Sequence, residues 1–172
     1  MSPYHPPQRE VSALVLSVSR WLRATFHLPQ RHAFDDHLGK GRSFYPLTDV
    51  AFTADSTIPF LALRASAVHV VVPAVDEKDL LLSSPAGARP REVSCYLENL
   101  AVHGRLDLLP GVRTSDFLAH QEGFITLRAC RIVPAIQGLG EPVPVLFVNA
   151  LAIVGVTEEA EEAEARKVRE GR

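Results

Sequence analysis

Apolar residues recur at every second position over Leu22, Ala24, Phe26 and Leu28, and again over Val102, Gly104, Leu106 and Leu108. A period of two places such residues on one face of a strand. Around these runs the pattern predicts the same series of elements twice. A strand at Leu14–Val18, or Val93–Leu97, leads through a tight join at Ser19-Arg20, or Glu98-Asn99, into a second at Leu22–Leu28, or Leu100–Leu108. A short helix follows at Asp35–Gly39, or Ser115–His120, and then a strand at Phe44–Phe52, or Phe124–Val133. The β-branched runs Val68–Val72 and Val143–Val156 read as a fourth, longer strand. Their lack of clean alternation implies strands covered on both faces.

The two series match at a constant offset. When Phe26–Phe52 is laid over Leu106–Ile132 without gaps, Leu28, Asp36, Leu38, Phe44 and Leu47 meet identical residues. These five identities in 27 positions compare with roughly one or two by chance. Beyond the match, Pro59–Pro73 resembles Val143–Val156 after a short insertion. The fold expected is mainly β, a tandem duplication of a β-β-α-β-β unit packed as a pseudo-symmetric sandwich or barrel-like domain with a shared core. Residues 11–73 form the first repeat, 74–91 a linker broken by Pro85, Gly87 and Pro90, and 92–156 the second repeat. Leu80–Leu82 in the linker are expected to dock on the body. Residues 157–172 form a charged tail, helical with Thr157 as its cap or disordered.

Charge excludes one class of partner. Six of the 20 acids and four of the 18 bases lie in residues 157–172, so residues 1–156 carry 14 of each. A nucleic-acid binder shows a basic footprint, and this neutral body has none. No apolar stretch reaches the roughly 20 residues of a membrane span. The N-terminus lacks the charged-then-apolar layout of a secretory signal. Two cysteines, Cys95 and Cys130, make no disulfide framework, and a reducing cytoplasm is expected.

From Arg113-Thr114-Ser115-Asp116-Phe117-Leu118 to Gly123-Phe124-Ile125-Thr126-Leu127, the second repeat resembles a small uncharacterised bacterial domain family. The pattern of that family is R-x-S-D-hydrophobic-L followed by F-I-x-L, and the resemblance is confined to the second half. It implies a bacterial β-rich module and assigns no catalytic residue. The first repeat departs from the pattern, with Ala33 for the arginine, Asp35 for the serine and Tyr45-Pro46-Leu47 for the Ile-x-Leu. Read locally, Ser115 and Asp35 cap the short helices, and Asp116 and Asp36 add negative charge to the first turn. Phe117 and Leu118 turn inward, while Phe44, Phe124, Leu47 and Leu127 anchor the following strand.

Candidate chemistry is sparse. His27, His32, Asp36 and His37 form the best metal-ligand group, with Asp35 beside them, but their spacing matches no established motif, and a polar loop is the expected reading. His69, His103 and His120 read as strand or helix-end residues. Ser83-Ser84 lacks a G-x-S-x-G context, and no phosphate-cradling glycine loop occurs. The chain is therefore expected to be a non-catalytic interaction or scaffold module without a cofactor, working through a protein partner or self-association. The alternative is a small-ligand sensor with a pocket between the repeats near Trp21, Arg23 or Arg113, and a metal-dependent enzyme ranks third.

Overall fold

The computed structural model describes residues 7–39, 41–53 and 55–158. Its strands are β1 (Gln8–Ser17), β2 (Arg20–Pro29), β3 (Phe44–Thr53), β4 (Ser56–Arg64), β5 (Val68–Pro73), β6 (Arg89–Tyr96), β7 (Ala101–Leu108), β8 (Phe124–Val133), β9 (Val143–Asn149) and β10 (Gly155–Glu158). Two short helices follow β2 and β7, α1 (Phe34–Leu38) and α2 (Thr114–Ala119). All ten strands form one antiparallel sheet in the order β10-β6-β7-β8-β9-β5-β1-β2-β3-β4. The sheet is open, with β4 and β10 at its two edges.

Each half holds one strand more than the sequence reading gave it. The last apolar run is cut by a short 3-10 turn, at Ala65–Ala67 in the first half and Ala150–Ala152 in the second. At the second turn Asn149 accepts a hydrogen bond from Leu151 N–H. Each run thus folds as two strands, β4 with β5 and β9 with β10. The halves repeat one another in register. Tyr45 pairs Leu63 as Ile125 pairs Val148, and Val15 pairs Val71 as Cys95 pairs Val156. Both halves also carry the same bulge. One residue of β2 or β7 faces two of the next strand, and Asp49 and Ala129 there take positive φ values of 51° and 50°. The helices start one residue earlier than expected, after Ala33 and Arg113, and neither has a side-chain cap. Asp35 and Ser115 therefore lie inside the first turn, because the extended residue before each helix, Ala33 or Arg113, stands two positions ahead of them.

Two apolar clusters form the interior. The first gathers Val11, Val15, Phe26, Phe34, Tyr45 and Leu47, and the second Val93, Val102, Leu106, Ile125, Leu127 and Ile132. They meet the central strands on opposite faces. On β9, Val145 and Phe147 reach the first cluster while Leu146 and Val148 reach the second. On β5, Val71 joins the first cluster and Val70 and Val72 the second. Each core is thus lined in part by a strand of the other half, and burial on both faces explains the missing alternation.

The connector is partly structural. Leu80 is buried in the first cluster, with Leu82 packed against it, whereas Arg89–Arg91 already belong to β6. Thr157 and Glu158, expected at the start of the tail, are instead in β10, paired with Ser94 and Val93. The rest of the expected tail lies outside the described residues. No helix among the described residues is long and apolar enough to cross a membrane.

Candidate functional site

The histidine group is spread over separate environments. His27, on β2, shares a 2.7 Å hydrogen bond with the Thr48 hydroxyl and lies 3.8 Å from Glu10. His32 and His37 have ring centroids 6.3 Å apart, and Asp36 is exposed. His37 is buried against Phe34, Phe26 and Tyr45, and burial, reinforced by the Arg42 cation, pushes its pKa down to about 4. The Tyr45 hydroxyl donates to Leu38 C=O at 2.9 Å, and burial raises its pKa to about 12. Arg9 ties the loop down by donating to the carbonyls of Asp79, His32 and Leu80. Among the described residues, no group of three or more His, Cys, Asp or Glu is placed to hold a metal ion.

Cys95, Cys130, His103, His120 and Ser84 sit in structural roles. Cys95 and Cys130 are buried free thiols, and burial raises their pKa to about 11 and about 12. Thiols at such values carry little thiolate at neutral pH. His103 shares a 2.6 Å hydrogen bond with Ser94 across β6 and β7, and His120 bonds the Asp116 carbonyl at 2.8 Å. Ser84 accepts from Arg128 at 3.3 Å. Arg128 also holds Glu77 at 2.8 Å and Asp107 at 2.7 Å, fastening the connector to the second half.

The segment from Arg113 to Leu127 builds the α2 corner. Arg113 is exposed ahead of the helix, and Ser115 and Asp116 are exposed in its first turn. Phe117 and Leu118 pack half-buried on the second cluster, Leu127 is buried within it, and Phe124 packs on the first. The start of α2 is held from afar, since Thr114 N–H donates to the Glu158 carboxylate at 2.9 Å. That bond, with Arg91 3.6 Å away, holds the Glu158 carboxyl below its ordinary range. Sequence reasoning missed this partner because it joins residues 44 positions apart. Phe44, expected in the core, is 45% exposed, and the Arg64 guanidinium lies 4.7 Å over its ring.

Two features can engage another molecule. A cleft of about 660 Å³ lies between the halves, lined by Ser12, Leu14, Arg23, Thr25 and Val72, with Gly138-Leu139 of the β8–β9 loop forming one wall. It includes Arg23 but neither Trp21, which packs on the second cluster, nor Arg113. The other feature is the sheet edge β4. Among the described residues nothing pairs with its outer side, and Phe60 within it is 59% exposed. No protein-family model, curated protein or solved structure matches the chain significantly.

Proposed function

We propose that the chain is a non-catalytic protein-interaction or scaffold module of a bacterial cytoplasm, built by tandem duplication, and that β4 is its docking element. The observation that carries this reading is a nine-residue edge strand whose outer side has no partner among the described residues, with exposed Phe60 on it and exposed Phe44 on the neighbouring β3. An open edge offers unpaired backbone N–H and C=O groups as a template for another strand. An aromatic side chain beside it adds apolar area, and aromatics are enriched where proteins bind. The polar clusters of the body are already engaged in structural bonds, and the resemblance of residues 113–127 to an uncharacterised bacterial family supports the same modest role.

Selection of a displayed library of short extended peptides on the purified chain tests the reading. Enriched peptides should alternate apolar and polar residues and lose binding to Phe60→Lys but not to Arg105→Glu on β7. No enrichment, or binding indifferent to Phe60→Lys, would refute it. The inter-half cleft favours a second reading, a small-ligand sensor, in which Arg23 fixes an anionic or polar ligand against Thr25. A ligand that raises the melting temperature of the native chain but not of Arg23→Ala would support that role.

A further inference from the structure

The halves join at β9 and β5, where Val148 pairs Val70 and Phe147 pairs Val71. The register correspondence turns this junction into a template. On the β8–β9 and β3–β4 ladders, Val148 corresponds to Leu63, Phe147 to Ala62 and Val145 to Phe60. On the β6–β10 and β1–β5 ladders, Val70 corresponds to Gly155 and Val71 to Val156. Among the described residues, the two edge strands of the sheet are therefore the counterparts of the two strands that meet at its centre. Pro144 and Pro59 also correspond, and Pro144 lies outside the two residue pairs that join β9 to β5.

Burial differs between the counterparts as a missing neighbour would make it. Val145, at the internal junction, is 4% exposed, whereas Phe60 at the free edge is 59% exposed. At the other edge Tyr96, Leu151 and Val154 are exposed beside β10. Apolar surface is thus concentrated on both edges that the internal junction would match. We infer that the occupant of β4 is β10 of a second copy of this chain, paired head to tail with Leu63 opposite Gly155 and Ala62 opposite Val156. Such a contact is heterologous, each copy offering one edge and accepting on the other, so it closes into a ring or extends as a fibre. This inference rests on the reading of β4 as a docking edge.

Site-directed disulfide trapping tests it. Ala62→Cys chains are mixed with Val156→Cys chains under mild oxidation, the native thiols being buried. The expected result is a covalent pair of chains between positions 62 and 156, and none when the partner is Arg105→Cys. In sedimentation, the unmodified chain should gain mass with concentration, and Phe60→Lys, exposed and tolerant of lysine in the single chain, should remain at the mass of one chain. Equal trapping at position 105, a bond closing within one chain in the double variant, or a wild-type chain that stays monomeric at every concentration would overturn the inference. If self-pairing fails while library peptides still dock at Phe60, the interaction reading stands with another occupant. If the peptides fail as well, both fall.

Discussion

Gly104 lies on β7 opposite the bulge of β8, and its counterpart on β2 is the buried Ala24. A methyl group at position 104 would sit 2.8 Å from Cys130 Sγ and 3.1 Å from the Arg128 carbonyl oxygen. Cys130 is fully buried and the carbonyl belongs to the bulge backbone, so neither has open space to retreat into. Overpacking of this kind costs about 1–3 kcal/mol. Alanine also removes freedom from the unfolded chain, which offsets about 0.4–1 kcal/mol. The clash wins, and Gly104→Ala should destabilise by roughly 0.5–2 kcal/mol. At about 2–4 °C per kcal/mol for a chain of this size, the melting temperature should fall by roughly 1–8 °C. Calorimetry of Gly104→Ala, Cys130→Ala and the double variant gives the decisive cycle. Removing the thiol deletes the closest contact, so the penalty at position 104 should drop by at least half in the Cys130→Ala background. A single variant as stable as the wild type, or an equal penalty in both backgrounds, would refute the packing argument. The first half carries its own control, since Ala24 stands opposite Val50 where Gly104 stands opposite Cys130.

His37 titrates at about 4 in the fold and near its ordinary value of 6.5 when unfolded, because burial disfavours the cation. Between these values the unfolded state binds the extra proton, so stability should fall as pH drops through that window and level off below it. Urea unfolding from pH 7 to pH 4.5 should show a shallower slope for His37→Phe, and an unchanged slope would refute the assignment. Asn149 is buried and joins the halves, donating from Nδ2 to Val68 C=O at 2.9 Å and accepting from Leu151 N–H at 3.0 Å. Asn149→Leu leaves both backbone groups without that partner and should cost about 1–3 kcal/mol in denaturant unfolding. A loss well below 1 kcal/mol would show that water replaces the amide.

Alternation on β2 and β7 placed the hairpins, because burial on one face leaves a period that the sequence preserves. The first turn falls at Val18-Ser19, one residue before the expected Ser19-Arg20, with Arg20 already paired to Ser17. Phe124–Val133 is the strand β8 to the residue. Other features were hidden for physical reasons. Alanine-rich 3-10 turns carry no proline or glycine, so Ala65–Ala67 and Ala150–Ala152 did not interrupt the apolar runs. Phe44 is expected in the core as the counterpart of Phe124, yet it begins β3 opposite Arg64 and leaves its ring exposed under that guanidinium. The histidine segment is dense along the chain, but only His32 and His37 come near each other, His27 being held apart on β2 by Thr48 and Glu10. The cleft is built by the β8–β9 loop, the segment that interrupts the match between the halves, and nothing in the repeat pattern marks it.

The exchange of β5 and β9 across the centre bears on how the molecule comes apart. Val145 and Phe147 close the first core, while Val70 and Val72 close the second. Peeling away either half strips a wall from the other, so the least costly opening is the loss of both together. Amide protons of β5 and β9 should then exchange only through global unfolding, and the two halves should melt in one transition despite their separate interiors. A chain whose architecture reads as two copies behaves, by this arrangement, as a single cooperative unit.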